Sequence, residues 1–335
     1  MIVEPKVREF ICTTAHPQGC KENVREQIAY VKEQGITGGP KKVLVIGAST
    51  GYGLASRITS AFGCDAATLG IMFEKPSNGK RSATPGWYNT AAFEEEAAKE
   101  GVYAKSINGD AFSKEVKEQA ISIIKEDLGK VDMVIYSLAA PRRTDAQGKM
   151  WVSTLKTTDK PFTEKSLDLR TNTIVTKTVE PAEEGELEGT VKVMGGEDWM
   201  DWIDALKAAD VLEKDAVTVA YSYIGPELTY PIYYDGTIGQ AKRHLTKTAG
   251  EINEKYEDVK AYISVNKALV TQASAAIPIV PLYFAILYKV MKEQGTHEGC
   301  IQQIARLFKD KLLVEQVPAD EKYQIRMDDW ELDDK

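Results

Sequence analysis

At 335 residues the chain is long enough to bury a sizeable core, as one large α/β domain or two ordinary ones. Its 42 basic and 50 acidic side chains leave a net charge of -8, which argues against a broad electropositive footprint for nucleic acid. The four cysteines, Cys12, Cys20, Cys64 and Cys300, have no close-paired spacing, and there are only three histidines, so neither a disulfide framework nor a zinc centre is expected and a reducing compartment is.

The N-terminal MIVEPKVREF lacks the apolar core of a signal peptide. The most apolar stretch, Ala275 to Leu287, contains Pro278 and Pro281 and is too short to span a bilayer. A soluble, cytoplasmic protein without a membrane span is expected. Val24, Ile28 and Val31 predict an amphipathic helix, punctuated by Gly38-Gly39-Pro40. His16 and Cys20 upstream of it have no companion ligands, so they do not make a metal site.

The organising stretch is KVLVIGASTGYGLASRITSA, residues 42–61. Val43 to Ile46 reads as a buried parallel strand, Gly47, Gly51 and Gly53 as a turn, and Leu54, Ile58 and Ala61 as the apolar stripe of a helix stopping at Gly63. That order lets a pyrophosphate approach the backbone and meet the positive end of a helix dipole, so a dinucleotide site is expected. The alternative is a tight turn needed only for packing. A second strand, Thr68 to Phe73, ends in Glu74, placed to accept from the adenosine ribose and to repel a 2′-phosphate, which favours NAD. Lys75, Lys80 and Arg81 are close enough in sequence to reverse that preference.

Next come a helix ending at Gly101, a strand from Val102 to Ile107, and Gly109-Asp110-Ala111. Asp110 either meets the adenine or opens the helix through Val116, Ala120 and Ile123. A fourth strand, Val131 to Tyr136, delivers Ser137-Leu138-Ala139-Ala140, small enough for backbone to lie against a cofactor. This alternation predicts a Rossmann-type, doubly wound parallel α/β sheet. Residues 144–190 are polar, alternate at Thr173 to Val179, and read as a hairpin-bearing insertion within a single domain spanning 1–335. A helix resumes near Glu197 with Trp199 as core, and a fifth strand runs from Ala216 to Tyr221.

The chemistry falls in YSYIGPELTYPIYYDGTIGQAKRHL, residues 221–245. Thr237 and Gln240 have capping-box spacing, which starts a helix at Thr237, puts Lys242 in its second turn and leaves Tyr233 on the preceding loop. A loop tyrosine can fold back toward Lys242, whose ammonium can bind ribose hydroxyls and draw the phenol pKa toward working pH. After a sixth strand, Ala261 to Val265, the stretch around 272–292 reads as a helical substrate lid or as an ordinary core helix.

These residues resemble the trans-2-enoyl-CoA reductases, a family that includes a class of enoyl-acyl-carrier-protein reductases. The resemblance lies in HPQGC (16–20), GASTGYGLASR (47–57), GWYNT (86–90), GDAF (109–112), YSLAAP (136–141), VKVMGGEDW (191–199), AYSYIGPE (220–227), GTIGQAK (236–242) and SVNKALVTQASAAIP (264–278). It extends over essentially the whole chain, and eight residues separate Tyr233 from Lys242, as in that family. It implies a monomer that uses NADH to reduce the 2,3 double bond of an enoyl thioester of CoA or acyl carrier protein. By motif, Tyr233 is the catalytic acid, Lys242 a catalytic and cofactor contact, and Tyr223 a substrate contact. Gly47, Ala48, Ser49, Thr50, Gly51, Tyr52, Phe73, Glu74, Asp110, Ala111, Leu138, Ala139, Leu269, Val270 and Thr271 would hold NAD. Family members continue past RMDDWEL (326–332), whereas this sequence ends at Lys335. The competing readings are a ketoreductase of the short-chain type and a non-catalytic NAD sensor, which would have no need of Tyr233 and Lys242.

Overall fold

The computed structural model describes residues 2–8, 11–271, 274 and 277–333. A short hairpin, β1 (Val7–Arg8) and β2 (Ile11–Cys12), precedes α1 (Pro17–Glu33). Strand and helix then alternate through β3 (Lys42–Ile46), α2 (Gly51–Ile58), β4 (Ala67–Met72), α3 (Pro85–Lys99), β5 (Ala104–Asn108), α4 (Lys114–Ile123) and β6 (Val131–Tyr136). The insertion carries β7 (Arg142–Thr144), β8 (Met150–Val152), β9 (Phe162–Asp168), β10 (Thr173–Val179) and α5 (Glu186–Met194). The chain continues with α6 (Glu197–Ala208), β11 (Leu212–Ser222), α7 (Thr237–Lys255), β12 (Val259–Val265), α8 (Val280–Gln294), α9 (Cys300–Arg306) and β13 (Gln324–Arg326).

Seven strands form one parallel sheet in the order β5-β4-β3-β6-β11-β12-β13. The near-continuous apolar runs of β3 and β6 are what a sheet covered on both faces requires. On one face α4, α6 and α7 bury Val116, Trp199, Trp202, Leu206 and Leu245 against it. On the other, α1, α2, α3 and α9 bury Val24, Leu54, Phe93 and Ile304. The Rossmann-type doubly wound fold is therefore present, and its order reverses between β3 and β6, where such sheets open a ligand crevice at the strands' carboxyl ends. The Trp199 and Trp202 indoles are fully buried, and each N–H finds an acceptor, Thr218 Oγ1 at 2.9 Å and Ala111 O at 3.1 Å.

The insertion pairs within itself. β7 pairs with β8 and β9 with β10, both antiparallel and apart from the main sheet. Val179 of β10, with Ile232, Val280 and Phe284, forms a small apolar cluster beside the crevice, so the hairpin lies under α8.

Several boundaries differ from expectation. The third strand is Ala104–Asn108 and not Val102 to Ile107, because the Val102 N–H closes the end of α3 on Ala97 O. Asp110 does not open α4; Ser113 caps it, its Oγ accepting from Val116 N at 3.2 Å, while Asp110 Oδ1 accepts from Phe112 N. Thr237 starts α7 but not as a capping box. Gly236 is the cap, and the Thr237 hydroxyl donates to Thr154 O at 2.6 Å, tying the helix to the insertion. The lid helix begins at Val280; Ala275 and Ala276 lie outside the described residues.

Candidate active site

β3 leaves the sheet at Gly47, whose φ of +86° and neighbour Ser137 O, 2.5 Å from where a Cβ would stand, both demand glycine. Gly53 allows α2 to begin directly over this turn: a Cβ there would lie 1.9 Å from Gly47 O. Gly51 opens the helix with φ +55° and nothing within 4 Å of a Cβ position, leaving the helix N-terminus clear for a phosphate. Ala48 and Ser49 are buried beneath the turn, whereas Thr50 is exposed at its rim.

Glu74 lies just past β4. Its Oε1 accepts from Ser49 Oγ at 2.6 Å, and Gly86 at the start of α3 makes room for it. Ser49 therefore aims the acid. The neighbouring Phe73 is exposed. Asp110 and Ala111 lie past β5, and the Ala111 carbonyl is held by both Trp202 Nε1 and Lys117 Nζ. Leu138 and Ala139 leave β6 beside the glycine turn. These segments gather at the carboxyl ends of β3, β4, β5 and β6, around the switch point. Tyr52 is turned differently: its hydroxyl lies inward on Lys267 O at 3.2 Å and Gln303 Oε1 at 3.3 Å, and burial raises its pKa well above that of an ordinary phenol.

The substrate loop leaves β11 through Ser222. Tyr233 is pinned in a turn whose Tyr233 N–H donates to Thr229 O at 2.9 Å, just ahead of α7. Its ring meets Tyr223 edge to face, with centroids 4.9 Å apart and planes at 80°. The Tyr233 hydroxyl has no hydrogen-bond partner among the described residues, and burial pushes its pKa up to about 12. Lys242 Nζ donates to Tyr221 O at 2.9 Å, and burial lowers its pKa to about 8. No hydrogen bond joins Tyr233 to Lys242 among the described residues. Burial is what shifts Tyr233, and Lys242 turns to the Tyr221 carbonyl.

Past β12, Leu269, Val270 and Thr271 reach the rim, and the Thr271 N–H and hydroxyl bond Ser274 in a closed turn. One participant escaped the sequence reading. Glu331, buried near the C-terminal end, accepts from the Tyr223 hydroxyl at 2.8 Å, the Tyr283 hydroxyl at 2.8 Å and Ala268 N at 2.6 Å. Its partners Tyr223 and Tyr283 are 108 and 48 residues away in sequence, so no local pattern marks it. Among the described residues no cluster of three His, Cys, Asp or Glu side chains could hold a metal ion, and no helix is long and apolar enough to cross a membrane.

A doubly wound sheet with a glycine turn and a strand-end acid at its switch point, and a tyrosine and a lysine following its fifth strand, defines a nicotinamide-linked reductase architecture. Residues 2–79 match the family model described as the NAD(P)H binding domain of trans-2-enoyl-CoA reductase, and residues 81–313 that of its catalytic region. The chain belongs to the trans-2-enoyl-CoA reductase family. It is similar to an enoyl-[acyl-carrier-protein] reductase [NADH] of Flavobacterium johnsoniae, 59% identical over 99% of this chain and 85% of the relative. A trans-2-enoyl-CoA reductase [NADH] of Clostridium perfringens is 61% identical over 99% of this chain and 86% of its own. The crystal structure of a Clostridium acetobutulicum trans-2-enoyl-CoA reductase in complex with NADH superposes with a TM-score of 0.97 at 47% identity, covering 100% of this chain and 85% of that one.

Proposed function

We propose that this chain is an oxidoreductase that reduces the 2,3 double bond of trans-2-enoyl thioesters, carried on CoA or acyl carrier protein, with NADH as the donor. Bound NADH supplies the hydride. The protein's part is to stabilise the charge that gathers on the thioester oxygen as Cβ is reduced, and a donor aimed there acts where charge develops. The Tyr233 hydroxyl carries this reading: it is half-buried beside Tyr223, and with its pKa near 12 it keeps its proton at neutral pH, with no protein acceptor among the described residues. Lys242, with one N–H fixed on Tyr221 O, keeps two others for ribose hydroxyls. Gly47, Ala48, Ser49, Thr50 and Gly51 would hold the pyrophosphate, Glu74 the adenosine ribose, Asp110 and Ala111 the adenine edge. Leu138, Ala139, Leu269, Val270 and Thr271 would hold the nicotinamide end. Tyr52 would contribute its ring, and Phe73 an exposed flank. Tyr223 lines the thioester site, and α8 covers the acyl chain.

We further infer one domain over 1–335, since strands from both family-model regions share one sheet. A cytoplasmic monomer working in fatty acid metabolism fits the four free cysteines and the family resemblance. Mixing the protein with NADH and crotonyl-CoA, then with acetoacetyl-CoA, tests the reading by absorbance. NADH consumption with crotonyl-CoA alone is expected. Consumption only with acetoacetyl-CoA would make it a ketoreductase, and binding without turnover a sensor.

A further inference from the structure

Glu331 follows a turn that is held from several sides. The turn before it, Asp328–Trp330, follows edge strand β13. Arg306 holds that turn by donating to Met327 O at 2.8 Å and Asp329 Oδ1 at 2.9 Å, with the Trp330 ring 4.1 Å from its guanidinium. Met327 N–H adds a bond to Val265 O at 2.9 Å. The carboxylate thus projects from a fixed base into the space between three elements: the β11 exit with Tyr223, the β12 exit with Ala268, and α8 with Tyr283.

An ionised carboxylate only accepts, and a phenol has one hydrogen. With both hydroxyls 2.8 Å from Oε1, Tyr223 and Tyr283 must point their hydrogens at Glu331. Tyr223 is left with lone pairs alone to offer the site, whereas its edge-to-face neighbour Tyr233 has an uncommitted O–H. Building on the reductase reading above, we propose that Glu331 is a positioning residue that makes Tyr223 an acceptor-only contact for the thioester substrate and latches α8 to the β11 exit. The two tyrosines therefore have fixed and opposite roles, with Tyr233 donating to the thioester oxygen and Tyr223 receiving a substrate donor such as an amide N–H. Glu331 touches no substrate itself and acts through Tyr223 and Tyr283.

The test is a double-mutant cycle on crotonyl-CoA reduction, with NADH affinity measured separately by calorimetry. Glu331→Gln cannot accept all three bonds, because one terminal atom becomes a donor. It should raise KM for crotonyl-CoA about tenfold with a smaller effect on kcat, and leave the NADH dissociation constant within about twofold. Once Tyr223 is Phe there is no hydroxyl to orient, so Glu331→Gln should then cost no more than about twofold. Glu331→Asp, which keeps the acceptor charge, should recover part of the loss and repeats the cycle if the Gln variant does not fold. Equal losses with and without the Tyr223 hydroxyl, or loss of NADH binding in step with activity, would reduce Glu331 to a structural tie and overturn the proposal. Wild-type protein that binds NADH but reduces no crotonyl-CoA would instead refute the reductase reading, before any variant is compared.

Discussion

The Tyr223 and Tyr233 rings meet at 80° with centroids 4.9 Å apart, yet their hydroxyls have different surroundings. Tyr223 donates to Glu331, and burial beside that carboxylate lifts its pKa far above that of an ordinary phenol. Tyr233 is raised by burial alone, to about 12. Edge-to-face packing fixes one ring by the other, so removing either hydroxyl should leave both rings in place.

From this, Tyr233→Phe is expected to lower kcat by roughly 100-fold or more with little change in NADH affinity, because the lost hydrogen bond matters chiefly in the transition state. Tyr223→Phe should raise KM for the thioester and leave NADH binding alone. Single-turnover reduction at saturating NADH and crotonyl-CoA separates them. A near wild-type rate in the Tyr233 variant beside an inactive Tyr223 variant would reverse the assignment.

Lys242 is expected to set the alkaline limit of activity. Burial takes its pKa down to about 8, so the ammonium is present below that pH and lost as pH rises through it. For folding the sign is opposite. The unfolded lysine keeps its proton to about 10.4, so the cost of burying the charge is present below pH about 8 and relieved above it. kcat/KM for NADH should therefore fall with a midpoint near 8 while thermal stability does not fall with it. Lys242→Arg should abolish that limb, since a guanidinium does not titrate there. An unchanged midpoint in the arginine variant would place the titrating group elsewhere.

Much of this fold is legible because parallel strands buried on both faces are written as plain apolar runs, as Val43–Ile46 and Val131–Tyr136 are. The third strand is misplaced at its start because the apolar Val102 belongs to the close of α3, its N–H bonding Ala97 O. The capping box at Thr237 fails because Thr154, 83 residues earlier, takes the hydroxyl. The cofactor turn is legible from glycine spacing, since those glycines answer backbone contacts a few residues away. Glu331 is not, since its work is done on residues that only the folded chain brings to it.

Cofactor choice should rest on how Glu74 is held. A 2′-phosphate brought toward this carboxylate meets like charge, so NADH should be preferred over NADPH by about tenfold or more in kcat/KM. Glu74→Ala should erode the preference, and Ser49→Ala should weaken it less, because the charge stays while its aim is lost. Gly86→Ala would put a methyl 2.0 Å from Glu74 Oε1, so it should displace the acid and behave like Glu74→Ala. Equal use of both nicotinamides by the unaltered protein would remove this role from Glu74.

Lys117 and Asp198 form a pair that links the core to the segment after β5, proposed above to meet the adenine. Both are buried, 8% and 1% exposed, and Lys117 Nζ lies 2.7 Å from Asp198 Oδ1. Tyr136 Oη donates to the other carboxylate oxygen at 3.1 Å. The same ammonium also donates to Ala111 O and Phe112 O at 3.1 Å each, which holds the segment after β5 in its place beside the crevice. Asp198→Asn leaves a buried ammonium facing a neutral amide and should cost about 3 kcal/mol in chemical denaturation. Replacing both partners, Lys117→Met with Asp198→Leu, removes the stranded charge and should restore most of that stability. It should not restore cofactor binding. With no ammonium on the Ala111 and Phe112 carbonyls, the segment after β5 loses its tether, and the NADH dissociation constant should stay raised by about tenfold in calorimetry. A double variant that is stable and binds NADH as tightly as the wild type would show that Trp202, which also donates to Ala111 O, holds the loop without help.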